Sequence, residues 1–497
     1  MDVLYIKKLF NFERSEEIEL KIILLFEMLI FIIVFSYLSI LRHTRLNSAM
    51  YDLGLFDQII YNIAHGRLFA SSIKGFNYLG DHFSPILLIF APLYWIWEDV
   101  RILLIAQTVI ISLAGYYAGM LSYNLTKDLR LSAAFGLAIL GNTNVMLITL
   151  FDFHPETISI PLFMYIIYNF SLQKQSRVFI ASIIALTIKE DVAITITLMG
   201  IAFAIIVKDI RYLILSLIGS IYFLLVMKLF IPYFRPKTYS GDYLYIERYA
   251  YLGKNMKEVI ISIISNPISP IIKMGTFIKV KVLLRLFYPT LFLSFLSPVF
   301  LIVIFPILYI NWIANYPPQF ALKYQYLNIV IPFIIGSSIY GFLKLREIIR
   351  KNNFLHTRLS TMASISMVLF VIGNVIIVYH TVIKFKYFEK NYYESSFYKA
   401  KKMIPEDAHL ATINAFGPHF THRENIEFAV PFILHMYHYR QLGLKPFSDA
   451  EYQLFLTRGD STSDAVILKE RIKDLIEKYN YSVILDENDV LLLRKAR

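Results

Sequence analysis

Acidic residues and histidines stand directly beside the long apolar runs of this chain, in four short clusters at residues 51–58, 80–85, 151–156 and 189–191. A charge near the hydrocarbon core of a bilayer costs kilocalories, so it is rarely placed there without a use. If the clusters meet on one membrane face, they form a polar site that is covered by helices. The candidate residues are Asp52, Asp57, Asp81, His82, Asp152, His154, Glu156, Lys189 and Glu190.

The composition is that of a membrane protein. The chain is 57% hydrophobic and only 17% charged, and its mean hydropathy is +0.55, which lies outside the range of soluble proteins. The apolar runs are continuous rather than alternating, which favours helices over a β-barrel. There is no cysteine, so disulfides and thiol catalysis are excluded. The net charge of +12 is explained by basic loops facing anionic lipid, and no nucleic-acid partner is expected.

Basic residues predict which loops face the cytoplasm. Four of them precede the first span, 22–41, which places the N-terminus inside and segment 42–100 outside. Within that segment, 83–97 is apolar but short and broken by prolines, as in a re-entrant or interfacial helix. Lys127 and Arg130 mark the next inner turn, so span 131–150 delivers Asp152 to the same outer face as Asp52.

About eleven transmembrane helices are expected. A helical hairpin, 177–188 with 191–207, bends at Lys189, and the basic stretch 344–358 is assigned to the inside. The expected spans are 22–41, 102–123, 131–150, 157–172, 177–188, 191–207, 211–231, 283–297, 298–314, 325–343 and 360–380.

The composition changes near residue 384, which predicts two domains: a transmembrane domain, 1–383, and an extracytoplasmic domain, 384–497. In the second, segments 409–415, 465–468, 482–485 and 490–494 are predicted as strands, and 469–479 as an amphipathic helix. The acidic segment 486–489 is a plausible hairpin turn. The fold class is therefore an all-α polytopic membrane domain with a small C-terminal α/β domain.

The four clusters resemble the motifs of a bacterial and archaeal membrane family called domain of unknown function 2079. The match covers nearly the whole chain, and the C-terminal ending Tyr481-Ser482-Val483-Ile484-Leu485-Asp486 also fits. The motifs stand here as Tyr51-Asp52-Leu53-Gly54-Leu55-Phe56-Asp57-Gln58, Asp81-His82-Phe83-Ser84-Pro85, Phe151-Asp152-Phe153-His154-Pro155-Glu156 and Lys189-Glu190-Asp191.

More broadly, two acidic outer loops and a soluble outer domain resemble the GT-C superfold of membrane glycosyltransferases. The resemblance implies a polyprenyl-phosphate-sugar donor, with Asp52 as the first-loop acid and Asp152 as the second. In the protein mannosyl- and aminoarabinose-transferases of that superfold the first acid usually has another acid beside it, whereas Leu53 follows Asp52 here. Asp57 therefore stays an alternative.

Sugar transfer to a hydroxyl needs a base at the acceptor, and a partly desolvated carboxylate can serve. Asp52 and Asp57 are about 140° apart on a helix, so one of them is expected to face the site. Asp52 equally fits the N-cap of a helix over 53–64.

Asp152, His154 and Glu156 alternate, so an extended loop would place them on one face. Together they could ligate Mn²⁺ or Zn²⁺, or hydrogen-bond one another without a metal; Mg²⁺ is also a candidate cofactor. Asp81, His82, His154, Glu156, Lys189 and Glu190 are assigned to substrate binding. Lys189 could neutralise the lipid phosphate or form an ion pair with Glu190 or Asp191.

The leading hypothesis is an enzyme of the cell membrane that takes sugar from a polyprenyl phosphate and passes it to an unidentified acceptor at the outer face. The alternatives are a transporter or lipid flippase, and a non-catalytic assembly or sensor protein. Transporters tend to carry inverted repeats and midplane charges, whereas no repeat is visible here and the acids cluster at one rim.

Overall fold

The computed structural model describes residues 3–237, 239, 244–429, 449–458 and 462–496. The fold is mostly helical, with a mixed sheet near the C-terminus. The α-helices, numbered α1 to α19 in chain order, are Val3–Thr44, Leu55–Ala64, Ala91–Ile96, Arg101–Thr126, Leu129–Leu140, Thr143–Leu150, Ser159–Ser171, Gln175–Leu186, Val192–Val207, Leu213–Leu225, Ile231–Phe234, Met256–Ser265, Ile268–Met274, Phe277–Phe287, Val299–Ile313, Val330–Ile348, Asn353–Lys384, Glu394–Met403 and Thr462–Glu477.

Several helices have the length and composition of membrane spans. Among the described residues, four can cross a membrane by these criteria: Arg101–Thr126, Ile210–Phe234, Gln325–Ile348 and Phe354–Lys384. The pair α5 and α6, bent by 46°, makes a fifth if it counts as one span. The first expected span, 22–41, lies within α1, and the apolar helices α8, α9 and α15 are shorter. The chain is thus a multi-span helical membrane protein, as predicted.

One expected span is wrong. Segment 283–297 is not a continuous helix, because α14 ends at Phe287 and two 3₁₀ turns, Tyr288–Thr290 and Leu293–Leu296, follow it. Leu291 and Phe292 adopt left-handed backbone conformations, with φ of 57° and 55°, which interrupt a helix. A helix lies at each of the other expected spans.

The short apolar segment 83–97 contains a 3₁₀ turn, Pro85–Phe90, followed by α3. Trp95 and Ile96 at its end are exposed, whereas Leu87 and Phe90 are buried. The interfacial or re-entrant position expected for this segment stays a prediction.

The C-terminal region holds a five-stranded sheet in the order β2-β1-β3-β5-β4. Strand β1 is parallel to both β2 and β3, and β5 is antiparallel to β3 and β4. Asn488 and Asp489 join β4 to β5 with positive φ values of 48° and 63°, as a two-residue hairpin turn requires. The strands are Leu410–Thr412, Ile426–Phe428, Tyr452–Leu456, Tyr481–Glu487 and Val490–Lys495.

Two predictions for this region need correction. Segment 465–468, predicted as a strand, lies in α19, because its apolar run continues at helical spacing to the buried Leu475. Strands β2 and β3 were not predicted, although β3 is central to the sheet.

The C-terminal region packs directly on the helical region. One continuous apolar core includes Met50 and Leu53 near α2 together with Phe397, Phe416 and Phe420 of the C-terminal region. The 3₁₀ turn Gly417–His419 lies against the turn that begins at Met50.

The membrane orientation can be tested with single cysteines, since the chain has none of its own. His65, Arg350 and Lys473 are exposed. We expect His65→Cys and Lys473→Cys to label with an impermeant maleimide in intact cells, and Arg350→Cys only after permeabilisation. Labelling of Arg350→Cys in intact cells would reverse the assigned orientation.

Gly341 lies on α16, and replacing it tests how α16 packs against the interrupted segment 283–297. A Cβ atom there would collide with the backbone carbonyl of Leu293, whereas a Cβ at Gly373 on α17 meets nothing within 4 Å. We expect Gly341→Ala to lower the free energy of unfolding by about 1–3 kcal/mol, read as a lower Tm in detergent. Gly373→Ala is the matched control and should melt at or slightly above the wild-type temperature, because alanine favours helices by up to about 1 kcal/mol. An unchanged Tm for Gly341→Ala would contradict the close approach.

Candidate functional site

The four clusters meet around a cavity of about 940 Å³. Its polar lining includes Tyr51, Asp52, Lys74, Asp81, His82, His154, Glu156, Lys189, Glu190, Asp191, Tyr245, Arg248 and Asn414. Its apolar lining includes Ile188, Val192, Ile194, Phe223, Met227, Val259, Ile260, Ile263, Ile307 and Ile310. Charged groups and aliphatic side chains therefore line the same cavity.

Asp52 lies in a π-helical turn, Met50–Gly54, that leads into α2. The N-cap of this turn is Ala49, so the interpretation of Asp52 as an N-cap is wrong. The Asp52 side chain is 31% exposed and lies 3.3 Å from Nε2 of His154. Its carboxylate is therefore accessible from the cavity and held by an imidazole.

His154 is oriented from its other ring nitrogen. Nδ1 lies 3.0 Å from the carbonyl oxygen of Asp152 and donates to it, since a carbonyl can only accept. The ring also packs between Phe56 and Phe151. Burial alone would lower the pKa of His154, but the Asp52 carboxylate outweighs it and raises that pKa. The raised pKa of His154 thus reflects its contact with the Asp52 carboxylate.

Asp152 does not line the cavity. It is fully buried, and Arg42 Nη1 lies 2.7 Å from its Oδ1 while the backbone N–H of Ala49 donates to its Oδ2 at 2.9 Å. The expected common face of Asp152, His154 and Glu156 is therefore wrong, because His154 and Glu156 line the cavity whereas Asp152 is held away from it by Arg42 and Ala49. Within the described ranges, no three histidine or acidic side chains are grouped to hold a metal ion, so these three residues do not fit a shared cation.

The remaining candidates form ion pairs between clusters. Lys189 Nζ donates to Glu156 Oε1 at 2.9 Å, rather than pairing with Glu190 or Asp191. His82 Nδ1 lies 2.8 Å from Glu190 Oε1. Burial would raise the pKa of Glu156, but Lys189 and His154 lower it to about 2. Glu156 is thus held as a carboxylate.

Lys74 was not among the predicted site residues, yet it is central to the cavity wall. Its ammonium is buried and contacts both the Asp81 carboxylate and the hydroxyl of Tyr51. Burial opposes the charge on Lys74, but Asp81 outweighs it and raises the pKa of Lys74. In turn Lys74 holds the pKa of Asp81 below its usual range. Lys74 is the only lysine between Lys21 and Lys127, and this isolation could have indicated it.

Asp57 faces away from the cavity. It is fully buried and accepts hydrogen bonds from Tyr94 and Thr421, with His422 Nε2 3.1 Å from its Oδ2. The opposite directions of Asp52 and Asp57 agree with their spacing on a helix. Asp57 therefore links α2 to the C-terminal region.

A cluster of Arg248 with Tyr245 and Tyr316 was also not predicted from the sequence. The Arg248 guanidinium lies 4.3 Å from the ring centre of Tyr245 and 4.4 Å from that of Tyr316. Both tyrosines line the cavity, and the Tyr245 hydroxyl donates to Asp81 at 2.8 Å. Tyr245 and Tyr316 lie in loops and Arg248 in the short 3₁₀ turn Ile246–Tyr249, and no periodic pattern in these segments indicated them.

The chain matches the family model described as "Predicted membrane protein (DUF2079)" over residues 42–492. It belongs to this family. No curated protein matches the sequence of this DUF2079 protein.

Solved structures show the same fold at low sequence identity. The structure of ArnT from Cupriavidus metallidurans bound to undecaprenyl phosphate matches with a TM-score of 0.52 at 10% identity, covering 94% of this chain and 97% of that one. Its apo state matches with a TM-score of 0.50 at 11% identity, covering 93% and 97%. The DUF2079 protein thus has an ArnT-like fold.

The pair of Lys74 and Asp81 should be essential for stability. Asp81→Asn leaves a buried ammonium without its carboxylate, and breaking a buried ion pair costs about 3–5 kcal/mol. We expect a clearly lower Tm at pH 7 in detergent. Glu389→Gln, which breaks the exposed pair with Lys386 at 3.3 Å, is the control and should change stability by no more than about 1 kcal/mol. Equal Tm values for the two variants would show that Lys74 does not depend on Asp81.

Proposed function

We propose that this protein is a GT-C-type glycosyltransferase that moves a sugar from a polyprenyl-phosphate donor to a hydroxyl acceptor at the outer membrane face. The observation that carries the proposal is the cavity, where an accessible carboxylate, lysines and histidines adjoin an aliphatic wall. A lipid-linked sugar combines the same features, with a charged phosphate between a sugar and an apolar tail. The ArnT-like fold supports this assignment.

Asp52 is proposed as the base. Its carboxylate accepts the proton of the acceptor hydroxyl while the hydroxyl oxygen attacks the anomeric carbon of the sugar. The bond between that carbon and the phosphate oxygen breaks, and its electron pair leaves with the polyprenyl phosphate. The products are the glycosylated acceptor and polyprenyl phosphate, and Asp52 returns its proton to solvent. His154 positions Asp52 through the 3.3 Å contact.

Lys189 and His82 are proposed to stabilise the departing phosphate. Both line the cavity. An ammonium has three N–H donors, so the bond from Lys189 to Glu156 leaves donors for a phosphate oxygen. Positive groups aimed at a developing negative charge lower the barrier most in a site that excludes water.

The decisive variant is Asp52→Asn. Purified full-length protein in nanodiscs is incubated with a lipid extract from cells fed radiolabelled sugars, together with membranes that contain acceptors. We expect wild-type protein to release label from the lipid fraction, and Asp52→Asn to be slower by about a hundredfold or more, as for loss of a general base. The amide keeps the size of the side chain, so the Tm should stay near that of wild type.

Asp209→Asn, in an exposed turn outside the cavity, is the matched control and should keep full activity. Full activity of Asp52→Asn would overturn the assignment of the base. Wild-type protein that binds or moves the lipid without breaking its sugar–phosphate bond would favour the transporter alternative.

A further inference from the structure

Two residues of the C-terminal region reach the cavity. Asn414 and Phe428 line it beside Tyr51 and Asp52. Asn414 lies two residues after β1, and Phe428 is the last residue of the neighbouring parallel strand β2. The carboxyl ends of parallel strands are where such sheets bind ligands, because loops diverge there and leave a crevice. The sheet therefore presents its usual ligand-binding edge to the cavity.

Asn414 is fixed against the turn that carries Asp52. Its backbone carbonyl accepts from the N–H of Met50 at 2.7 Å, and its side-chain Oδ1 accepts from the N–H of Tyr51 at 3.1 Å. A backbone N–H can bond only to the oxygen of the amide, so this contact fixes which end is nitrogen. Among the described residues, no hydrogen bond is made by Nδ2 of Asn414.

The C-terminal region packs closely against the turn that carries Asp52. A Cβ atom on Gly417 would collide with the side chain of Met50, and a Cβ on Gly54 would lie 3.2 Å from Cγ2 of Thr421. Asp57, one turn along α2, is bonded to Thr421 and His422. The Asp52 turn and Asn414 are therefore held in one fixed relation.

We propose that Asn414 is an acceptor-binding residue, which donates a hydrogen bond from Nδ2 to the hydroxylated acceptor next to Asp52. This inference rests on the proposed glycosyltransferase function. The acceptor hydroxyl must lie within hydrogen-bond reach of the base, and Asn414 is bonded to the residue adjacent to that base. Its amide donor and the rings of Tyr51 and Phe428, whose centres are 6.1 Å apart, form the acceptor side of the cavity. The C-terminal region is thus part of the reaction site.

Asn414→Asp tests the donor while the oxygen that accepts from Tyr51 is kept. The carboxylate keeps an oxygen for the N–H of Tyr51 but removes the Nδ2 donor. We expect kcat/KM for the acceptor to fall by about tenfold or more, which corresponds to the loss of one hydrogen bond worth about 1.4 kcal/mol. Binding of undecaprenyl phosphate, measured as the Tm increase it causes, should be unchanged. Asn414→Ala removes the donor without adding charge and should show the same loss.

Asn488→Asp is the matched control, since Asn488 is also an asparagine of the C-terminal region but lies in the β4–β5 turn, outside the cavity. It should retain wild-type transfer. If both Asn414 variants transfer sugar at the wild-type rate, Asn414 does not bind the acceptor. If they lose undecaprenyl phosphate binding together with transfer, the role is structural and the proposal is overturned.

If the proposed glycosyltransferase function is wrong, the experiments give a different result from the one expected when only the role of Asn414 is wrong. In that case wild-type protein itself neither binds undecaprenyl phosphate nor transfers sugar, or Asp52→Asn stays active while Asn414→Asp does not. The first outcome overturns both proposals, and the second overturns only the role of Asp52.

Discussion

Pairing of buried opposite charges holds together the loops around the cavity. Every pair except Lys74–Asp81 joins two segments that are distant in sequence, so satisfying the charges also brings the loops to their positions. An unpaired charge in such a place would cost several kcal/mol, which selects against other arrangements of the loops. The buried pairs are Arg42–Asp152, Lys74–Asp81 and Lys189–Glu156, and two partly exposed contacts, His82–Glu190 and His154–Asp52, join the same loops.

These pairs also explain why some acids are available for chemistry and others are not. Asp152 has both oxygens bonded and no exposure, whereas the Asp52 carboxylate is partly exposed and, among the residues that the structure describes, is paired only with the imidazole of His154. The number of strong donors around each carboxylate therefore separates a structural acid from a candidate base. Asp57, with three donors and no exposure, falls in the structural class.

The sequence predicted the location of the site better than its internal geometry. Charges beside apolar runs identified the four clusters, and hydropathy identified most helices, because both depend on local composition. The partners of the charges are set by tertiary contacts, so Lys74 and Arg42 were not predicted. The alternation of Asp152, His154 and Glu156 was misleading because Asp152 is held away from the cavity by tertiary contacts with Arg42 and Ala49. Segment 465–468 was wrong because a short apolar run fits a strand and a buried helix equally well.

The bond between the Tyr51 N–H and Asn414 spans 363 residues of sequence. Since the ribosome makes the chain from its N-terminus, the turn that carries Asp52 enters the membrane long before Asn414 is synthesised. The helices can insert as they emerge, but the turn receives these hydrogen bonds only from the end of the chain. A nascent or C-terminally truncated chain therefore occupies the membrane with an incomplete cavity. The site can therefore be fully assembled only after the synthesis of the chain is complete.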